Sequence, residues 1–86
     1  MYEILLSSAA VQDYKKIPDS ELEKINKTID QLEKNPRPQG YKKLQGRNAY
    51  RVRSGNYRII YEIKDKELIV LVIRIRHRSD VYKHMA

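Results

Sequence analysis

Residues Leu68 to Ile73 read LIVLVI, an unbroken apolar run in a chain of 86 residues of which 34% are charged. A surface helix or a half-exposed strand would break such a run with polar residues. A strand inside a sheet, covered on both faces, need not. The run therefore predicts a central strand from Leu68 to Arg76, and the rest of the chain has to surround it. Two strand-like runs precede it, Ala49 to Arg53 and Tyr57 to Ile63. Ser54-Gly55-Asn56 joins these two, and Lys64-Asp65-Lys66 leads into the central run; both triplets suit hairpin turns. Near the N-terminus, Tyr2 to Leu6 reads as a further short strand that ends at Ser7-Ser8, either of which suits a helix N-cap.

The intervening sequence has helical spacing. Ala10, Val11, Tyr14 and Ile17 recur on one face, and Pro18 ends that helix. Ser20 and Glu23 form a capping box opening a longer helix with the stripe Leu22, Ile25, Ile29 and Leu32, which Asn35-Pro36-Arg37-Pro38 stops. Both stripes read as core contacts, and two helices joined by so short a turn make a hairpin that covers one sheet face. Gln39 to Asn48 is polar, contains Gly40 and Gly46, and reads as a loop. The order is β-α-α-β-β-β. That gives an α+β fold in which an N-terminal strand and a helical hairpin pack on a mainly antiparallel four-stranded sheet. Ser79-Asp80 would cap a last half-turn through Val81, Tyr82 and Lys83. One domain spans 1–86, and a chain this short buries only about 60–65% of its unfolded surface, so the core is modest.

The net charge of +7 calls for an acidic partner, and the basic residues are concentrated in the strands. Arg51 and Arg53 are two residues apart, so a strand places both on one face. Arg58 opens the next run, and Arg74, Arg76, His77 and Arg78 close the last. Guanidinium groups fit phosphate oxygens in paired, fork-like geometry, which directs attention to RNA or DNA. The absence of cysteine removes disulfides and zinc–thiolate sites and fits a cytoplasmic protein. Ile4-Leu5-Leu6 is too short for a membrane span and has no basic residue before it, so neither a membrane partner nor a secretion signal is expected.

RNA can be cut without a metal, because its own 2′-hydroxyl attacks the adjacent phosphate. The enzyme must take up that proton, worth ~10²–10⁴ in rate, and stabilise charge on the phosphorane, ~10²–10³ per preorganised donor. The acidic residues lie mostly on the predicted helices, and His77 and His84 have no carboxylates at ligand spacing. The expected reaction thus uses no metal and no cofactor. Arg51, Arg53, Arg58 and Arg76 are the candidates for charge stabilisation. Tyr82 follows no packing period; its phenol would ordinarily titrate near ~10, and neighbouring guanidinium groups would lower that value. His77, ordinarily near ~6.5, is the second candidate for proton transfer. His84 reads as surface, and Tyr57 and Tyr61, in phase with Ile59 and Ile63, read as core.

Three blocks carry a resemblance: Tyr50-Arg51-Val52-Arg53-Ser54-Gly55, Tyr57-Arg58-Ile59-Ile60-Tyr61-Glu62-Ile63 and His77-Arg78-Ser79-Asp80-Val81-Tyr82. In this order they resemble the RelE/ParE superfamily of bacterial and archaeal toxins, on its RelE side, over nearly the whole chain. The resemblance implies the toxin of a type II toxin–antitoxin system, a ribosome-dependent, metal-independent mRNA endoribonuclease that cuts in the A site and halts translation. It also implies a cognate antitoxin that wraps the toxin, and a complex of the two that binds operator DNA. It places Arg51, Arg53, Arg58 and Arg76 on basic positions that are catalytic or RNA-contacting in RelE-like toxins, with Arg where some relatives have Lys. Tyr82 becomes a general base or a base-stacking contact, against the plainer role of a lid on the sheet. Some members use a histidine near His77 and others a different residue. Spacing alone yields a basic sheet surface with a candidate acid–base pair. Two other readings stay open: a ParE-like gyrase inhibitor that cleaves nothing, although that branch typically lacks the full basic set with a terminal tyrosine, and a non-catalytic nucleic-acid-binding module using the same face.

Overall fold

The computed structural model describes residues 1–80. Its elements are β1 (Glu3–Leu6), α1 (Ser8–Lys15), α2 (Asp19–Lys34), β2 (Lys42–Lys43), β3 (Tyr50–Ser54), β4 (Tyr57–Lys64) and β5 (Ile69–His77). They build a five-stranded sheet in the order β1-β5-β4-β3-β2. β1 runs parallel to β5, and the remaining neighbours are antiparallel. The class is the α+β arrangement that the sequence predicts, with one strand more. β2 lies inside the stretch read as a loop, where Lys42 and Lys43 pair with Arg51 and Tyr50. The chain turns back there because Leu44 is buried and donates its N–H to the Ala49 carbonyl at 2.8 Å. An edge strand this short and lysine-rich resists pairing with another chain.

β5 holds the inner position expected of the apolar run, with β1 on one side and β4 on the other. Leu68 is not part of it. With φ of 56° it closes the turn in the left-handed region, while its carbonyl accepts the Glu3 N–H.

Ser7 caps α1, its hydroxyl accepting the Ala10 N–H at 3.1 Å. The start of α2 differs from the capping box. Pro18 occupies the N-cap position, its carbonyl accepts the N–H groups of Glu21 and Leu22, and Ser20 already lies in the first turn. Asp19 and Glu21 place their carboxylates at the positive end of the helix. Ile25, Ile29 and Leu32 face the sheet as the stripe predicts.

The helical hairpin covers one sheet face, where Ala10, Ile25, Leu32, Ile59, Val70 and Val72 are fully buried. Tyr61 is buried among them, and its hydroxyl donates to the Pro36 carbonyl at 2.7 Å. A buried phenol needs such a partner; burial pushes its pKa well above the usual range. On the other face Leu44, Ala49 and Ile60 form a smaller cluster with Ile73 against it. Beyond the far end of β4, Arg37 forks onto Asp65 at 2.8 and 3.2 Å and Tyr2 donates to the same carboxylate at 2.7 Å. Those donors, Arg37 first, draw Asp65 down to about 2.

One irregularity decides what the sheet presents. In the β4–β5 ladder Ile60 faces Arg74 but Tyr61 faces Val72, so Ile73 is an extra residue, a β-bulge. Strict alternation from Val70 and Val72, both buried, would send Arg74 and Arg76 into the core. The bulge reverses the parity. Ile75 turns inward, and Arg74 and Arg76 join the opposite face.

Candidate functional site

The register aligns Arg53 with Arg58, and Arg58 with Arg76, so three arginines lie in one row across β3, β4 and β5. Directly facing residues share a face, with Cβ atoms about 4.5–5.5 Å apart. The adjacent row reads Lys42, Arg51, Ile60 and Arg74. Lys42, Arg51, Arg53 and Arg58, together with Gly40, line a cleft of about 260 Å³. Like charges directly opposite one another weaken a sheet, so strand pairing by itself does not favour this row. Its chemistry suits a dense anion. Between Glu33 and Glu62 the sequence contains no carboxylate at all, while Lys34, Arg37, Lys42, Lys43, Arg47, Arg51, Arg53 and Arg58 all fall there.

The hairpin between β3 and β4 sets the row. Gly55 (φ +59°) takes the first position of the two-residue turn, the geometry that matches strand twist. It also passes close to α2: a Cβ at Gly55 would stand 3.4 Å from Glu21 Oε2. The buried Ser54 hydroxyl bonds to that of Thr28 on α2 at 3.0 Å. The turn is thereby fixed in both shape and position, one residue from the Arg53–Arg58 pair.

The four arginines differ in exposure. Arg53 is exposed, and Arg51 and Arg76 are half-buried. Arg58 is only 8% exposed and donates from Nη1 to the Tyr57 carbonyl at 3.3 Å. The expectation that all four project from an open face is therefore corrected for Arg58, which sits at the middle of the row between two other long side chains. A guanidinium held in this way is preorganised.

His77 is placed differently. It faces Tyr57 across the ladder, so it points to the face opposite the arginine row, and its ring stands edge-on to Tyr57 with centroids 5.3 Å apart. Its Nδ1 accepts the Ser79 N–H at 3.3 Å and lies 2.9 Å from the Ser79 hydroxyl, which shapes the helical turn at 78–80. The Arg78 N–H donates to the Asn56 carbonyl at 2.7 Å, tying the end of β5 to the β3–β4 turn. The structure thus brings Arg51, Arg53 and Arg58 together with Arg76 beside them, and sets His77 apart. Tyr82, His84 and the half-turn expected through Val81, Tyr82 and Lys83 lie outside the described residues.

Two further residues bear on the site: Lys42, which carried no sequence signal, and Arg74, already read among the basic strand residues. Lys42 enters the cleft only because it pairs with Arg51. Arg74, which shares the parity of Arg76, is held by Asp13 of α1 through Nε at 2.8 Å and Nη2 at 3.1 Å; this pairing raises its pKa further. Among the described residues no helix is long and apolar enough to cross a membrane.

A sequence model of the family described as "ParE toxin of type II toxin-antitoxin system, parDE" matches residues 4–82. Toxin RelE3 of Methanocaldococcus jannaschii is 30% identical over 87 residues, covering 95% of this chain and 97% of the relative. The mRNA interferase toxin RelE of Escherichia coli strain K12 is 27% identical over 85 residues, covering 94% and 90%. Among solved structures, the toxin–antitoxin complex RelBE2 of Mycobacterium tuberculosis contains a chain that superposes with a TM-score of 0.80 at 26% identity, covering 90% of this chain and 98% of that one. The family match spans almost the whole chain and the relatives are RelE toxins: the chain belongs to the RelE/ParE superfamily of type II toxin–antitoxin toxins and is a RelE-like member of it.

Proposed function

We propose that the protein arrests translation as an mRNA endoribonuclease that cuts in the ribosomal A site without a metal ion. The observation that carries this reading is the row Arg53–Arg58–Arg76 with Arg51 and Lys42 beside it. When the 2′-hydroxyl attacks the phosphate, the extra negative charge develops on oxygens that fixed guanidinium forks are suited to receive. The cleft of about 260 Å³ falls below the ~300–1,000 Å³ of pockets that enclose a small ligand. The ribosome would therefore supply the orientation that the protein does not, a large part of the rate. The described lining of the cleft contains no carboxylate and no imidazole, and Tyr82 is assigned the proton of the 2′-hydroxyl. The reading includes a cognate antitoxin that covers this basic face, repression of the operon by the complex on operator DNA, and action in the cytoplasm, where ribosomes translate. The relatives solved with RelB antitoxins support the partner, and the E. coli relative's name, mRNA interferase, supports the reaction.

The test is cleavage of an mRNA positioned on purified ribosomes. The expected products end within the A-site codon, while the same RNA without ribosomes is cut weakly; efficient cleavage of free RNA would refute ribosome dependence. A second expected result concerns salt. If three or four of the named arginines touch phosphates, log K for single-stranded RNA should fall against log salt with a slope of about −2 to −3, at ~0.7 per contact. A slope near zero would remove the arginine face from RNA binding.

The ParE description of the matching family favours one further reading, inhibition of DNA gyrase by protein contact. Loss of gyrase supercoiling at protein concentrations that leave ribosome-bound mRNA intact would establish that reading in place of the nuclease.

A further inference from the structure

We infer that Asp13, on α1 and remote in sequence from every arginine of the row, is a positioning residue that holds Arg76 in place. This rests on the cleavage reading of the row. β1 ends its pairing at Leu6–Val72, so among the described residues β5 continues past the bulge at Ile73 with no strand on that side. Two residues of the α1 segment take its place. Ser7 donates its N–H to the Val72 carbonyl at 2.9 Å and its hydroxyl to the Ile73 carbonyl at 2.9 Å, the carbonyl of the bulged residue. Asp13 then accepts the Ile75 N–H at 3.0 Å on Oδ2, the oxygen that also takes Arg74 Nε. One carboxylate, its side chain 13% exposed, thus binds the backbone one residue before Arg76 and the side chain two before it.

The electrostatics explain why a carboxylate stands here. Arg76 faces Arg58 directly, and like charges so placed repel. On its outer side the end of β5 has no strand neighbour among the described residues, while its inner side is held by the β4 ladder and by the Arg78 N–H on the Asn56 carbonyl. Without an outer contact, repulsion would shift Arg76 away from Arg58 within that ladder and widen the row. Asp13 opposes that movement through the Ile75 N–H. It also neutralises Arg74, which the bulge puts on the same face as Arg76. Arg74 therefore serves the anchor, and Arg76 serves the anion.

Single-turnover cleavage on ribosomes, ribosome affinity and the urea midpoint are measured for D13A, D13N, R76A and D13A/R76A. Displacing a charge-stabilising group by about 1 Å can cost ~10²-fold, so D13A should slow cleavage about tenfold to a hundredfold with ribosome affinity within about twofold. D13N, which retains an acceptor for the Ile75 N–H, should recover much of that loss. D13A/R76A should cleave no more slowly than R76A, because Asp13 acts through Arg76. Multiplying effects in the double variant, or a wild-type rate for D13A beside a slow R76A, would overturn the positioning role alone. A wild-type rate for R76A would instead overturn the reading of the row on which the inference rests. If D13A fails to fold, D13N with and without R76A decides the same question by the same non-additivity.

Discussion

Arg58→Ala should lower single-turnover cleavage on the ribosome by ~10²–10³, the loss that follows removal of one preorganised donor at a developing charge. Arg58 occupies the centre of the row, flanked by Arg53 and Arg76, and is the most buried of the four candidate arginines. Its guanidinium has the least freedom to lose on binding substrate, so it should be the most costly of them to remove. Arg58→Lys should fall between, since lysine keeps the charge but not the planar fork. The folded state should change far less than the rate. Truncation loses packing of the aliphatic stem and the bond from Nη1 to the Tyr57 carbonyl, but relieves two like-charge contacts. Rate and urea midpoint measured on the same preparations separate the two effects. Cleavage within about fivefold of wild type, well short of the donor loss, would move Arg58 from the site to the framework.

The legible parts of this molecule are those in which one residue type repeats with a period. The stripes Leu22, Ile25, Ile29, Leu32 and Ala10, Tyr14, Ile17 predict the helical face toward the sheet, and Arg51 with Arg53 predicts a basic strand face; these appear as expected, whereas Val11, read with the first stripe, is exposed. The unbroken run Leu68 to Ile73 identifies the inner strand for the same reason that it conceals the strand's phase. When every residue is apolar, a bulge at Ile73 changes nothing in the pattern, yet it alone decides whether Arg76 faces the core or Arg58. The period of two is enough to separate His77 from Arg76, since adjacent strand residues face opposite sides, although both stand among the candidate site residues. Lys42 and Asp13 could not be read at all. A two-residue strand has no period, and the contact between Asp13 and Ile75 depends on where β1 happens to stop. Ser20 misled because its capping box is locally sound, while Pro18 starts the helix first.

Tyr82→Phe should reduce cleavage by ~10²–10⁴, the range of a general base, with ribosome affinity nearly intact. Its motivation is partly the resemblance of the Asp80-Val81-Tyr82 block and partly what the arginine face lacks. Among the described residues the cleft is lined by Gly40, Lys42, Arg51, Arg53 and Arg58, without a carboxylate or imidazole, and His77 is turned toward Tyr57 on the other face. Arginine cannot accept the 2′-hydroxyl proton, since it remains protonated in proteins. A phenol among guanidinium groups can, because those charges favour the phenolate and bring its pKa below the ordinary ~10. Two further measurements distinguish a base from its alternatives. The wild-type log rate should climb with pH until the phenol is ionised, and that climb should vanish in Tyr82→Phe. If the ring only stacks on a base, Phe should keep most of the activity and only Tyr82→Ala should fail, since stacking contributes ~1–3 kcal/mol. If Tyr82 is a packing lid, Ala should lower the urea midpoint while leaving cleavage nearly unchanged. Wild-type kinetics in Tyr82→Phe would remove the base assignment and transfer it to His77, which would then have to leave Tyr57 and Ser79 to reach the row.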